Sequence, residues 1–341
     1  MPKIVLIGGS AGALRALKLI LPSLSPDFPA PILIVTHIGS RKSLAPSILE
    51  RYSAMPVRHA IDGEPIIPGR VLVAPPDQHL TVVARDGRAY VRLIHGPKEN
   101  HCRPAIDPLF RSAASVFREH AIGVILTGYL DDGTVGLQAV KACGGLAIVQ
   151  DPIEAEAMTM PASALEHVDV DRVLGATEIG PALVDLVARV SPGPSGDMDV
   201  VSGVPDWIDI ENRIAGEDSD MDQLEQIGKP SSLTCPECNG ALWEIGHAGP
   251  IRYRCHTGHG FTAKVLETLQ RDAVEEAIWS AVRALHEQER LFGKLCERER
   301  QSSQAERAAE YEMKVMQARA HSQILREVIA GRAPLVKYAG S

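Results

Sequence analysis

Three apolar segments that run directly into polar residues constrain the fold of this 341-residue chain most strongly. The pairs are residues 4–7 followed by Ser10, residues 31–36 followed by His37, and residues 122–127 followed by Asp131 and Asp132. Apolar runs of this length are typical of strands buried on both faces of a parallel sheet. Ligands bind outside the carboxyl ends of such strands. We therefore expect the three polar positions to meet at one edge of the sheet.

Residues 1–190 alternate strand-like runs with helical periodicity. This pattern predicts a doubly wound α/β domain, whose mostly parallel sheet has helices on both faces. Strands are predicted at 3–7, 31–36, 71–74, 80–84, 89–93, 122–127, 145–149 and 172–173. Helices are predicted at 12–21, 42–53, 106–118, 133–143, 161–166 and 178–190. Residues 71–93 are interpreted as a hairpin that turns at residues 85–88.

The remaining chain is predicted to form three further parts. Residues 191–232 are acidic with few large apolar side chains, which indicates a flexible linker. Residues 233–262 contain clustered cysteines and histidines, and we expect a small zinc-ribbon-like module there. Residues 263–332 carry apolar residues three or four apart, which predicts a C-terminal α-hairpin whose second helix is capped by Ser302 and Ser303.

Composition narrows the function classes. The formal net charge of −8 argues against a general nucleic-acid binder, since phosphate affinity comes from basic patches. No apolar run reaches the roughly 18 residues that span a bilayer. The amino terminus lacks the regions of a signal peptide. We expect a cytoplasmic protein without membrane insertion.

The residues around Ser10 are typical of a nucleophile on a sharp strand-to-helix turn. The sequence GGSAG at residues 8–12 lets the backbone bend tightly, and the following helix start offers N–H groups to an oxyanion. A base at His37 and an orienting acid at residues 131–132 would complete a hydrolytic triad. Blander interpretations stay open, in which Ser10 caps a turn, His37 is structural and the aspartates cap the helix at 133–143. A dinucleotide-binding loop is disfavoured because it needs glycine at position 10.

The first 190 residues resemble the catalytic domain of the chemotaxis receptor methylesterase (CheB) family. The motifs that carry the resemblance are IGGSAG at 7–12, VTH at 35–37, VAPPDQH at 73–79, RPAIDPLF at 103–110, LTG at 126–128, DG at 132–133 and MP at 160–161. The resemblance implies Ser10 as nucleophile, His37 as base and Asp132 as orienting acid, with no catalytic cofactor. It also implies hydrolysis of glutamate methyl esters on receptor helices, with glutamine deamidation as a further activity.

The sequence departs from the family pattern in three places. Family enzymes of the chemotaxis type carry an amino-terminal receiver domain, whereas this chain starts at the catalytic strand, so we expect that control to be absent or supplied in trans. Residues 11–13 read AGA in place of the usual TGG. Tyr129 and Leu130 replace the usual Met-Gly, which puts the identity of the substrate in doubt.

The module at 233–262 has the ligand spacing of a structural zinc site. Cys235 and Cys238 form a Cys-x-x-Cys knuckle, and Cys255 with His259 closes the set, His256 being the rival fourth ligand. A module this small has too little core to fold without such a staple. A redox disulfide in the knuckle is the alternative.

The sequence as a whole predicts a serine hydrolase of the protein-glutamate methylesterase type. We expect its partner to be a methylated receptor or another helical signalling protein. The C-terminal helices offer a surface for a kinase or regulator, and their apolar seam suits a homodimer. Two alternatives remain, namely a serine hydrolase of another ester or amide and a non-catalytic signalling scaffold.

Overall fold

The structure, a computed structural model, describes residues 2–37, 43–189, 203–216, 221–246 and 249–331. The chain forms two compact units that divide between Leu266 and Glu267. Among the described residues, no helix is long and apolar enough to cross a membrane.

A seven-stranded parallel sheet and a separate hairpin form the strands of the first 190 residues. The strands are β1 (Ile4–Gly9), β2 (Ile32–Thr36), β3 (Val57–His59), β4 (Val71–Val73), β5 (His79–Arg85), β6 (Arg88–Ile94), β7 (Ala121–Ile125), β8 (Leu146–Gln150) and β9 (Arg172–Leu174). The sheet order is β3-β4-β2-β1-β7-β8-β9, and every pairing in it is parallel. The predicted parallel sheet is therefore confirmed.

Six helices cover the two faces of this sheet. They are α1 (Ala13–Ile20), α2 (Ala45–Leu49), α3 (Ile106–Phe117), α4 (Thr134–Ala142), α5 (Thr159–His167) and α6 (Ala176–Ala188). Apolar residues of α1, α2 and α6 pack with one face, while α3, α4 and α5 pack with the other. The central strands are wholly apolar in consequence, because both of their faces are buried.

The hairpin prediction is correct for β5 and β6 and wrong for the residues before them. β5 and β6 pair antiparallel around Asp86 and Gly87, whose positive φ angles of 48° and 72° fit the tight hairpin turn. Val71–Val73 instead pairs with β2 and β3 in the main sheet. A short apolar run suits either environment, so only the tertiary structure separates the two.

The segment after residue 203 is structured, and the prediction of a flexible linker is wrong there. It forms α7 (Asp206–Ala215) and α8 (Met221–Ile227), and Ile208, Ile210 and Ile214 of α7 are buried. Residues 190–202 and 217–220 lie outside the described part of the chain. A helix this short gains its stability from packing against its neighbours, which local composition does not reveal.

An antiparallel four-stranded sheet follows α8. Its strands are β10 (Gly228–Thr234), β11 (Ala241–Ile245), β12 (Arg252–Cys255) and β13 (Gly260–Thr262), in sequential order. We refer to residues 228–262 as the C-terminal module. Its residues belong to the same compact unit as the parallel sheet.

The second compact unit consists of two long helices, α9 (Ala263–Gln301), which begins in the first unit, and α10 (Ala305–Ile329). They run antiparallel, since Arg300 pairs with Glu312 while the earlier Glu289 pairs with the later Arg319. Gln304, not the predicted serines, occupies the N-cap position of α10 and makes no side-chain cap.

Candidate active site

Ser10, His37 and Asp132 follow three neighbouring strands. β1 lies between β2 and β7, and the last residue of β1 pairs with the last residue of β2. Ser10 and His37 therefore occupy the next positions along adjacent strands. The Ser10 N–H donates to the carbonyl oxygen of Thr127, 2.9 Å away and just past β7. The expected sheet edge exists, and it lies where the chain leaves β1 in one direction and returns at β7 in the other, the usual place for a ligand.

The turn after β1 leaves backbone donors next to Ser10. Gly12 has a φ of 79°, and a Cβ there would lie only 2.8 Å from Cβ of Glu156, so both conformation and space require glycine. Among the described residues, no hydrogen-bond acceptor faces the N–H groups of Ala11 and Gly12. They lie at the start of α1, where the helix dipole favours negative charge. This arrangement suits an oxyanion.

His37 and Asp132 form a close pair. Oδ2 of Asp132 lies 2.7 Å from Nε2 of His37, and the two side chains are 3% and 16% exposed, respectively. Burial by itself lowers the pKa of His37, but the hydrogen bond and charge of Asp132, with a contribution from Cys102, outweigh burial and raise the pKa above its ordinary value. The pair leaves Nδ1 as the imidazole nitrogen for a further partner.

Asp132 is held ionised by several donors. The backbone N–H of Ile106, at the start of α3, donates to Oδ2 at 2.7 Å, and the side-chain amide of Asn100 donates to Oδ1 at 3.0 Å. Burial raises the pKa of Asp132, but the hydrogen bonds from His37, Ile106 and Asn100 hold it below the ordinary value. The positive end of the α3 dipole acts in the same direction.

The two aspartates do not cap the helix that follows them. The N-cap of α4 is Gly133, without a side-chain cap. Asp132 instead accepts from the start of α3, while Asp131 accepts from the Thr262 hydroxyl at 2.8 Å. The capping interpretation chose the helix nearest in sequence, whereas the tertiary fold brings a different helix end to Asp132.

Ser10 and His37 are adjacent without a direct bond. Within the described residues, the Ser10 hydroxyl makes no hydrogen bond to the imidazole, although the two residues end neighbouring strands. Such bonds are often long before substrate binds. Residues 38–42, which follow His37, lie outside the described part of the chain.

Sequence reasoning missed two residues beside the triad positions. Asn100 is buried and bonds Asp132, and Cys102 interacts with the His37 imidazole. Both lie in the irregular segment before α3, which has no periodic pattern. The only available signal was its position just before the quoted motif at 103–110.

The cysteines and histidine of the C-terminal module converge. Ligand atoms of Cys235, Cys238, Cys255 and His259 all lie within 4.8 Å of one another. The Cys238 and Cys255 sulfurs are 3.7 Å apart, and Nδ1 of His259 is 3.4 Å from Sγ of Cys255. Sulfurs bound to tetrahedral zinc at about 2.3 Å would be about 3.8 Å apart, so the donor set fits that ion. His256 lies against Gly240, outside this group.

A comparison with known families matches the first part of the chain. The sequence model of the CheB methylesterase family aligns with residues 5–183, which is more than half of the chain. The chain belongs to the CheB methylesterase family. The stretch contains all three residues of the Ser10, His37 and Asp132 constellation.

Individual members of the CheB family agree over the same region. A Leptospira interrogans relative is 43% identical over 183 residues, 53% of this chain and 93% of that protein. A protein-glutamate methylesterase/protein-glutamine glutaminase of Thermotoga maritima is 42% identical over 187 residues, 54% of each chain. The crystal structure of the Thermotoga maritima CheB methylesterase catalytic domain superposes with a TM-score of 0.53 at 39% identity, covering 55% of this chain and 99% of that one.

The departures from the CheB pattern lie around the site. Tyr129 is 65% exposed and Leu130 has a positive φ of 62°, so this pair projects from the loop between β7 and Asp132. Ala11 and Ala13 flank Gly12 in the turn after Ser10. None of these residues displaces the His37–Asp132 pair.

Proposed function

We propose that this chain is a serine carboxylic ester hydrolase that removes methyl groups from glutamate methyl esters on a signalling receptor and also deamidates glutamine. The observation that carries the proposal is the buried His37–Asp132 pair beside Ser10, at the end of neighbouring strands. Relatives of 36–43% identity bear the name protein-glutamate methylesterase/protein-glutamine glutaminase, which supports this substrate class.

The groups around Ser10 suit each step of acyl transfer. The Ser10 oxygen attacks the ester carbonyl while His37 takes its proton, and ionised Asp132 stabilises the resulting imidazolium. The Ala11 and Gly12 N–H groups receive the charge that develops on the carbonyl oxygen. His37 then protonates the departing methanol, or ammonia from a glutamine. Water attacks the acyl-enzyme with His37 again as base, and glutamate is released.

The electrostatics of the pair favour this cycle. Asp132 keeps its negative charge in a buried setting because His37, Ile106 and Asn100 supply it with donors. A fixed carboxylate next to an imidazole stabilises the charged form of the ring, which exists only after the serine proton has moved. The catalytic chemistry uses side chains and backbone groups alone.

Methanol release from methylated receptor is the deciding experiment. We expect the parent protein to release methanol and Ser10→Ala to release none, while Ser115→Ala, in α3, serves as the matched control with full activity. Hydrolysis of other model esters but not of methylated receptor would indicate a hydrolase with another substrate. If the parent releases nothing and Ser10→Ala keeps the cellular phenotype, the protein is a scaffold and the proposal is wrong.

We further propose that the C-terminal module is a zinc ribbon. Cys235, Cys238, Cys255 and His259 would hold the ion, and four protein ligands leave it no open position for substrate. Zinc would thus supply folding energy to the module and no chemistry at Ser10. The agreement of the donor set and sulfur separation with tetrahedral zinc supports this assignment.

The long helices suit recognition. Trp279, Leu291, Met313 and Met316 are exposed large apolar residues of α9 and α10, and such side chains support a proposal that these helices bind a kinase, a regulator or a second copy of the chain. Sedimentation of the purified protein separates the homodimer from the others. All six cysteines are free, which favours the reducing cytoplasm.

A further inference from the structure

The C-terminal module contacts four consecutive residues of one loop in the catalytic part of the first unit. Lys98 bonds Glu237 at 3.3 Å, and His101 pairs with the same carboxylate. Between them, Glu99 forms an ion pair with Arg254 at 3.1 Å. The backbone also joins in, since residue 99 bridges residue 260 in parallel orientation. The loop is thereby fixed along its length by the module.

Asn100, the remaining residue of this loop, connects the module with Asp132. Its Nδ2 donates at 3.0 Å to Asp132 and at 3.0 Å to Asp107. Its Oδ1 accepts the backbone N–H of Thr262 at 3.1 Å, and its own N–H donates to the carbonyl of Gly260 at 2.8 Å. Both amide hydrogens and the amide oxygen are therefore used, in a side chain that is only 6% exposed as a residue.

The partners of Asn100 determine its orientation. Rotating the amide by 180° would place its oxygen against two carboxylates and its NH₂ against the N–H of Thr262, losing all three bonds. The amide also lies between Asp132 and Asp107 and gives one hydrogen to each. Two buried carboxylates repel each other when both are charged, so a shared donor between them favours an ionised Asp132.

A second connection runs through Thr262. Its hydroxyl donates to Asp131 at 2.8 Å and accepts the N–H of Val265 at 3.2 Å, which caps the start of α9. Asp131 directly precedes Asp132 in the chain. The module thus holds the loop before α3 and the aspartate pair from the same short strand, β13.

Buried ion pairs anchor the module to the catalytic part. Arg111 of α3 is fully buried and bonds Glu99 at 2.8 Å and Glu211 at 3.3 Å. Arg254 bonds Glu211 at 3.1 Å, and Arg252 pairs with the same residue. Charges without solvent tolerate little displacement, because separating them leaves an uncompensated charge in the interior. The module is therefore docked in one position relative to Asp132.

We infer that Asn100 is a positioning residue for Asp132 and that β13 of the C-terminal module holds it in place, so that the module completes the esterase site. The inference rests on the proposed function for its kinetic consequence only. No such role follows from the Ser10, His37 and Asp132 constellation by itself, since Thr262 lies 131 residues beyond Asp131.

The test replaces Asn100 with glycine in the full chain. Asn100 has a φ of 52°, so Asn100→Gly removes the amide without backbone strain. We expect kcat for methanol release to fall about 10²-fold with KM unchanged, as for a misplaced catalytic group. Thr81→Val is the matched control, because it also deletes a buried hydrogen bond, to the Arg92 carbonyl at 2.8 Å, away from the site.

A substrate-free measurement separates this inference from the proposed function. The His37 imidazole is titrated by NMR in the parent and in Asn100→Gly, with its signal assigned from His37→Gln. The charged and titratable side chains that surround the pair are Asp107, Asp131, His79 and Cys102. We expect the midpoint to move towards the ordinary histidine value in Asn100→Gly, because a loosened Asp132 stabilises the imidazolium less, and to stay unchanged in Thr81→Val.

The module's share is tested at Thr262. Thr262→Ser keeps both hydroxyl bonds and should match the parent, whereas Thr262→Val should lower kcat and shift the His37 titration in the direction of Asn100→Gly. Parental kcat and titration in Asn100→Gly overturn the positioning role, and parental values in Thr262→Val overturn the part of the module. A shifted titration in a parent that releases no methanol supports the inference and refutes the methylesterase proposal.

Discussion

Asp132 Oδ2 lies 2.7 Å from Nε2 of His37, although 95 residues separate the two in the sequence. The contact is made because β2 and β7 flank β1, so the chain segments that follow them meet at the carboxyl edge of the sheet. It fixes which ring nitrogen faces the carboxylate and leaves the other for Ser10. The tautomer of the imidazole, and with it the capacity to accept a serine proton, follows from this one hydrogen bond.

Replacing Asp132 with asparagine should therefore lower kcat for methanol release by about 10⁴-fold, because an amide stabilises the wrong tautomer and carries no charge. Asp185→Asn, on the exposed side of α6, is the control and should match the parent. An Asp132→Asn variant within tenfold of the parent would remove Asp132 from the catalytic machinery.

The pH dependence follows from the raised pKa of His37. Only the neutral imidazole accepts the serine proton, and Asp132 raises the pKa above the ordinary value of about 6.5. We expect kcat/KM to rise with pH through a midpoint above 6.5, measured by methanol release in buffers of constant ionic strength. A midpoint at or below 6.5 would contradict the ion pair.

The same pair links stability to pH. The pKa of His37 is raised on folding, so its contribution to the free energy of unfolding is full below about 6.5 and is lost as pH rises through the folded value. The pKa of Asp132 is lowered, so its contribution is lost as pH falls below about 3.9. We expect His37→Gln to reduce stability to urea most between these values. An equal loss at pH 5 and at alkaline pH would argue against the linkage.

Zinc should bind the C-terminal module with one ion per chain. Cys238→Ser removes one ligand, and we expect it to lose the ion and to unfold at a lower temperature, measured by elemental analysis and thermal melting. Cys143→Ser, a half-buried thiol outside the group, should retain the ion. A parent protein that contains no stoichiometric metal after expression with zinc would refute the zinc ribbon.

The buried guanidinium of Arg111 should be required for stability. Arg111→Met leaves Glu99 and Glu211 with an incomplete set of partners in the interior, and breaking a buried pair in this way costs about 3–5 kcal/mol of unfolding free energy. Urea denaturation measures the change. Arg189→Met, which deletes an exposed pair with Asp185, should leave the midpoint unchanged. Equal midpoints for the two variants would show that the buried ion pairs contribute nothing net.

Patterns local in sequence predicted most of the fold. The runs that became β1, β2 and β7 are apolar at every position because they are buried on both faces, which is a property of residue type alone. The positive-φ turn at residues 86–87 was also readable, since its residues are the ones that such turns require. Polar residues at the ends of the strands located Ser10, His37 and Asp132.

What the sequence could not decide is which distant groups meet. Val71–Val73 suited a hairpin as well as the main sheet, and α7 looked like linker until its isoleucines found a partner surface. Asp131 and Asp132 suited the helix beside them, yet one bonds α3 and the other bonds β13.

The sequence by itself thus determined the strands, the knuckle of cysteines and the polar residues that end the strands, because each depends on neighbours a few positions away. Only the tertiary structure decided that Asn100 lies between Asp132 and Thr262, and that the C-terminal module is part of the first unit. The physical reason is that a buried polar side chain must find its hydrogen-bond partners wherever the packed fold supplies them. Those partners lie far away in the chain and leave no periodic signal in it.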